Sequence, residues 1–240
     1  FMAEQTIFKR YEIKYMLTSS QAEELSKIMA EYMYADIHGR STICNLYFDT
    51  PSFQLIRTSI EKPEYKEKFR IRSYGKAEDD TTVFAEIKKK YKKVVYKRRI
   101  EITEKQADEY FCKREGNIPS SQIKREMDYM FSFYNEFKAR VFISYEREAF
   151  YAKDDYDFRV TFDRNILWRQ TDLSLKAGAY GSPILKDGYV LMEVKTALSI
   201  PKWMRDFLDE NKIYKTSFSK YGSAYEKIVL NNNKEMKKYA

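Results

Sequence analysis

Residues Val83–Ile102 read VFAEIKKKYKKVVYKRRIEI, and eight of these positions are lysine or arginine. On either side of Tyr91 the segment alternates as a β-strand does. Ala85 and Ile87 oppose Glu86 and Lys88; Tyr96, Ile100 and Ile102 oppose Lys97, Arg99 and Glu101, with Arg98 left on the apolar side. Like charges that face each other across a strand pair weaken the pairing. Two adjacent strands that keep them need something of opposite sign to offset the repulsion.

The same alternation recurs along the chain. Around Phe8–Tyr15, Arg10, Glu12 and Lys14 share one face and Tyr11, Ile13 and Tyr15 the other. Arg70 and Arg72 oppose Phe69 and Ile71; Arg159, Thr161 and Asp163 oppose Phe158, Val160 and Phe162; Glu193 and Lys195 oppose Val190, Met192 and Val194. With TICNLYFD (residues 42–49) and FISYEREAF (residues 142–150), the pattern predicts eight strands. An ordinary half-buried sheet also alternates. Its wet face, however, mixes Thr, Ser, Gln and both signs of charge, whereas here long cations recur at i, i+2 on nearly every strand, with a few glutamates among them.

Helices fill the remaining periodic stretches. Thr18 as N-cap with Gln21 three residues on opens a helix whose Ala22, Leu25, Met29 and Tyr32 share a face. Ser121–Phe137, the segment from Pro201 and Tyr221–Leu230 are predicted to be helical, and residues 231–240 to fray. Each amphipathic helix needs an apolar surface, and the apolar strand faces supply it. If the sheet closes into a barrel with helices outside, the charged faces line its interior. The expected fold is therefore α+β, in a single domain over residues 1–240.

The net charge of +8, from 44 Lys and Arg against 36 Asp and Glu, biases the 240-residue chain toward polyanions. Cys44 and Cys112 stand far apart with no CxxC or CxxH neighbour, which argues against a zinc site and a disulfide framework. No 18-residue apolar run or signal-peptide core is apparent, so a cytoplasmic protein is expected, and any membrane role would require a membrane partner. His38 is the lone histidine and is read as a loop residue, Trp168 and Trp203 as packing anchors, and Lys89, Lys92, Lys93 and Arg98 as solvated.

In order along the chain, RYEIKY, NLYFDT, KFRIRSYG, FAEIKKK, YKRR, YEREAF, RVTFDRN, LMEVK and FSKYG resemble the VTC domain of polyphosphate polymerases, within the triphosphate tunnel metalloenzyme (CYTH-like) superfamily. The resemblance spans roughly Phe8 to Lys227. It implies a closed antiparallel eight-stranded barrel, with its core at about 8–227, whose lumen binds the triphosphate of a nucleotide. It also implies that Lys14, Arg70, Arg72, Lys88, Lys97, Arg99, Arg147, Arg159 and Lys220 contact phosphate oxygens. Among these, Arg70, Arg72, Lys88, Arg147 and Arg159 are the candidates for the chemical step. Glu193 is the implied ligand of a divalent metal, Mn²⁺ or Mg²⁺, with Glu12 and Glu86 as helpers. Lys195 shares Glu193's face, and Ser219 adjoins Lys220 as a further phosphate donor. Glu101 and Asp163 are read as salt-bridge partners of neighbouring cations.

Hydrolytic branches of that superfamily begin with an ExExK triplet, and here the first glutamate position holds Arg10. A cation there favours anion binding over water activation, as in the polymerase branch. An ionised phosphate acceptor needs no general base, whereas water does. Polymer synthesis from ATP onto phosphate, pyrophosphate or polyphosphate is the expectation. A CYTH-type triphosphatase and a non-catalytic polyanion or nucleic-acid module are the alternatives. Nucleic acid is disfavoured because the aromatics alternate away from the cations, whereas base stacking needs both on one face.

Overall fold

The computed structural model describes residues 11–92, 94–155 and 157–238. β1 (Tyr11–Thr18) leads into α1 (Ser19–Tyr32) and β2 (Met33–Ala35), followed by β3 (Ser41–Asp49), α2 (Gln54–Ile60), β4 (Tyr65–Tyr74), β5 (Thr82–Tyr91) and β6 (Val94–Thr103). The short α3 (Glu104–Ala107) runs into a π-helical turn (Asp108–Lys113) and α4 (Gln122–Phe133). β7 (Lys138–Ala152), β8 (Arg159–Arg169), β9 (Ser182–Pro183), β10 (Tyr189–Thr196), α5 (Lys202–Glu210), β11 (Lys215–Thr216) and α6 (Lys220–Lys238) complete the chain. α6 thus continues into the stretch expected to fray.

All eight strands read from alternation are present. Two features of the expected barrel are corrected. Among the described residues the strands number eleven, because β2, β9 and β11 have only two or three residues, too few to show a period. Among the described residues the hydrogen-bonded order β11-β1-β10-β8-β7-β3-β4-β5-β6 also has two ends and does not close. Alternation reports which way a side chain points and carries no information on whether the terminal strands pair.

The chain divides into two compact units. The first holds residues up to Ser41, Glu146–Asn165 and Leu185–Phe218; the second holds Thr42–Tyr145, Ile166–Ile184 and Ser219 onward. Each has its own apolar core. In the first unit Tyr15 and Leu17 of β1, Val160 and Phe162 of β8, and Val190, Met192 and Val194 of β10 pack with Ala22, Leu25 and Met29 of α1 and Met204, Phe207 and Leu208 of α5. α1 starts where the sequence says it must: Thr18 accepts the Gln21 N–H while the Gln21 side chain accepts the Thr18 N–H. Full burial of a side chain such as Leu25 contributes about 1.5–3 kcal/mol, so this helix is held by its packed face more than by its cap.

In the second unit Phe69 and Ile71 of β4 and Val83, Ala85 and Ile87 of β5 pack with Leu46 and Phe48 of β3 and with Met127 and Met130 of α4. Trp168 is buried in this unit, while Trp203 of the first stacks on Tyr32 at 4.8 Å; both are packing residues. Gly181 permits the last close approach: with φ of +147°, a Cβ here would lie 2.3 Å from the Trp168 carbonyl oxygen.

Candidate functional site

The polar face of the first unit is a three-strand array set by register. β1 pairs β10 with Glu12 opposite Lys195 and Lys14 opposite Glu193, and β10 pairs β8 with Glu193 opposite Thr161 and Lys195 opposite Arg159. The apolar residues between them have already been spent on the core, so strand geometry turns these charges to the same side. Lys14 Nζ lies 3.3 Å from Glu193 and 3.7 Å from Glu12, and donates to the Phe218 carbonyl at 3.1 Å. Arg147 of β7 grips Asp163 through two parallel hydrogen bonds of 2.6 and 2.7 Å and reaches Glu193 at 3.2 Å. Asp163 is fully buried and Glu193 nearly so. An open pocket of about 370 Å³ adjoins Lys14, lined by Glu12, Lys215, Thr216 and Ser217 among others. Arg159 is exposed and Lys195 half-buried.

The second unit carries a cationic face on β4, β5 and β6. Register places Lys66 opposite Lys90; Lys68, Lys88 and Lys97 in one row; and Arg70, Glu86 and Arg99 in the next. Arg70 Nε donates to Glu86 at 2.7 Å and its Nη1 to the Tyr47 hydroxyl at 3.0 Å. Arg72 Nε donates to Asn45 Oδ1 at 3.0 Å and its Nη2 to the Tyr145 hydroxyl at 3.4 Å. Both guanidinium planes are therefore fixed by the buried Tyr47, Asn45 and Tyr145 and by Glu86, which also lies 4.0 Å from Arg72 Nη1. Lys220 is buried with its ammonium 4.5 Å from the centre of the Tyr145 ring. Ser219 Oγ accepts the Gly222 N–H at 3.2 Å in the first turn of α6, which leaves its own proton to donate. Lys88, Lys97 and Arg99 are exposed.

Burial and charge pull on these groups in opposite senses. Burial disfavours the charged Arg70, but Tyr47 and Glu86 outweigh it and hold the guanidinium protonated more firmly than usual. Burial likewise works against the Glu86 anion, yet Arg70 and Arg72 bring its carboxyl below the ordinary range. Lys66, by contrast, is pushed down, by burial first and then by Lys90 and Lys88. This part of the face is self-repulsive.

The candidates therefore fall into two groups. Glu12, Lys14, Arg147, Arg159, Glu193 and Lys195 belong to the first unit, and Arg70, Arg72, Glu86, Lys88, Lys97, Arg99, Ser219 and Lys220 to the second. Arg10 lies outside the described residues, as does Lys93. Asp163 is an ion-pair partner as read, and Glu101 pairs with Arg99 at 3.4 Å. Lys89 and Arg98 are not simply solvated: both bind Glu126 of α4, at 3.3 and 2.7 Å. His38 sits in the exposed loop before β3.

Sequence reading missed Lys66 and Lys68, although YKEKFRIR continues the i, i+2 run of Arg70 and Arg72 backwards. It also missed Tyr47 and Tyr145. The expectation that aromatics avoid the cationic face needs correction on three counts: Tyr47 and Tyr145 contact Arg70, Arg72 and Lys220, and Arg99 lies over Phe84 at 4.7 Å. The two tyrosines are buried, so they orient cations and offer no ring to a base.

The carboxylates bear on whether a divalent metal fits. Among the described residues no group of three His, Cys, Asp or Glu is placed to hold one alone. Glu193 and Glu12, however, converge on the same Lys14 ammonium. Mg²⁺ is commonly held by one or two carboxylates with substrate phosphates and water completing the shell, and this pair suits that arrangement. Glu86 is engaged by Arg70 in the other unit.

The chain is thus an α+β protein whose charged strand faces are rich in arginine and lysine and threaded with ion-paired carboxylates. The VTC domain family model matches residues 9–229, and the chain belongs to that family. The fold is similar to that of a "putative adenylate cyclase" from Bacillus halodurans, with a TM-score of 0.55 and 13% identity over 87% of this chain and 92% of that one. It is also similar to that of a "putative adenylyl cyclase" from Hippeastrum described as having a dominant triphosphatase activity, with a TM-score of 0.52 and 16% identity over 89% and 93% of the two chains. No curated protein matches the sequence.

Proposed function

We propose that the protein is a polyphosphate polymerase that transfers the γ-phosphate of ATP to phosphate, pyrophosphate or a growing polyphosphate end and releases ADP. One observation carries this reading: three carboxylates of these faces are ion-paired, Glu193 with Lys14 and Arg147, Asp163 with Arg147, and Glu86 with Arg70. A carboxylate so held is a poor base for water. A phosphate acceptor is already ionised and requires only that two anions be brought together in line.

Phosphoryl transfer is catalysed chiefly by positioning and charge stabilisation. The bond from the γ-phosphorus to the bridging oxygen breaks, its electron pair leaves on ADP, and an acceptor oxygen bonds to the same phosphorus. Arg70 and Arg72, with planes preset by Glu86, Tyr47, Asn45 and Tyr145, present planar forks to phosphate oxygens. In the second unit Lys88, Lys97, Arg99 and Lys220 add charge and Ser219 a proton, and in the first unit Lys14, Arg159 and Lys195 add charge. Glu193 with Glu12 would hold a divalent ion, Mn²⁺ or Mg²⁺, which neutralises phosphate charge when bound.

A second reading, a triphosphatase, is favoured by Glu12. Its carboxylate stands at an exposed position 3.7 Å from Lys14, where it can orient a water. Product analysis separates the readings. Purified protein with ATP and Mn²⁺ should yield ADP and long polyphosphate, with turnover lost in Arg70→Ala and Glu193→Ala variants that remain folded. Orthophosphate as the sole inorganic product selects the triphosphatase. Binding without turnover selects an inert polyanion module.

A further inference from the structure

Thr161 occupies the flank of the row Lys14–Glu193–Thr161 across β1, β10 and β8. The groups facing it are Glu193 and Lys195 from β10, Arg159 and Asp163 from its own strand, Lys14 from β1, and Arg147 from β7 through its bonds to Asp163 and Glu193. Every one of these charged neighbours is engaged in an interaction. Thr161 differs. The residue is 8% exposed, and its Oγ1 is buried with no hydrogen-bond partner, a condition it shares with no other side chain among the described residues of this unit.

A buried hydroxyl without a partner is unfavourable, and in a native protein such a group calls for a specific explanation. Valine has nearly the same shape, suits a β-strand equally well and carries no such penalty. The position therefore holds a hydroxyl in spite of the folded state. Its surroundings say what would satisfy it: a ligand drawn to Arg159, Lys195 and Lys14 is an anion, and an oxyanion offers acceptors to an O–H donor.

We propose that Thr161 Oγ is a substrate-binding group that donates its hydrogen to a phosphate oxygen of the triphosphate or polyphosphate bound over this row. The assignment rests on the phosphate-binding reading above. It adds a neutral hydroxyl contact to a set otherwise made of charges, and it places the phosphate on the β8 side of Glu193.

Calorimetric titration of the whole protein with tripolyphosphate tests it, using Thr161→Val and Thr161→Ser. Thr161→Val should weaken binding by about tenfold or more, the usual cost of losing a hydrogen bond to a charged acceptor. Its melting temperature should hold or rise, because the unpartnered hydroxyl is gone. Thr161→Ser should bind within about threefold of wild type, since it keeps the donor. Wild-type affinity in Thr161→Val overturns the proposal, and so does a lowered melting temperature with unchanged affinity, which would assign the hydroxyl a purely structural partner. Should Thr161→Val not fold, Thr161→Ser against Thr161→Ala makes the same comparison, and equal affinities there overturn it. Failure of the wild-type chain to bind tripolyphosphate is a separate result that removes the phosphate reading itself.

Discussion

Replacing Arg147 by methionine removes a guanidinium and leaves its volume largely filled. Asp163 is then a carboxylate at 0% exposure that has lost two hydrogen bonds of 2.6 and 2.7 Å, while Glu193 keeps Lys14 at 3.3 Å. Removing one member of a buried ion pair costs about 3–5 kcal/mol. For a chain of this length each kcal/mol moves the midpoint by about 2–4 °C, so Arg147→Met should melt about 6–20 °C below wild type. The pair, not the arginine alone, is responsible, so Arg147→Met/Asp163→Asn should recover about 1–3 kcal/mol of that loss through the coupling between neighbours. Thermal and urea denaturation of the four proteins of the cycle measure both quantities. A single variant that melts within about 3 °C of wild type, or a double variant as unstable as the sum of its singles, would refute the claim that Asp163 depends on Arg147.

Lys88→Glu should separate stability from binding. It converts the Lys68–Lys88–Lys97 row from like charges to an alternating set and should stabilise the fold by about 0.4–2 kcal/mol over its two cross-strand pairs. The same change should weaken polyphosphate binding and flatten its salt dependence, read by titration at several ionic strengths. Glu86 contributes through its lowered carboxyl pKa: the unfolded chain binds more protons, so this stability is present above the ordinary value of 4.5 and is lost as pH falls through the lower folded value. Glu86→Gln should make the acid side of the stability profile shallower in that window, and an unchanged profile counts against the Arg70–Glu86 pairing. Gly181→Ala should cost about 2 kcal/mol or more, because the added Cβ meets the Trp168 carbonyl oxygen at 2.3 Å; a melting temperature equal to wild type would contradict that close approach.

Much of this was legible in the residues. Tyr15, Phe69, Ile87, Phe162 and Met192 go to the core and Lys14, Arg70, Glu86 and Glu193 to the opposite face, as the alternation requires. The Thr18–Gln21 capping box starts α1 at the expected place. Other features had no local signal. Tyr47 and Tyr145 read as core aromatics, and only the fold brings their hydroxyls to Arg70 and Arg72. Lys89 and Arg98 read as solvated until α4 delivers Glu126 between them.

Which way each side chain points was determined by sequence alone, because a strand's two-residue period and a helix's cap are set by neighbours a few positions apart. Which charge meets which was decided by tertiary structure. Lys14 reaches the carbonyl of Phe218, 204 positions away, and Arg147 reaches Glu193 across 46. Those meetings, like the order and ends of the sheet, depend on the register of strands distant in the chain, and the pattern along one strand carries no record of its partner.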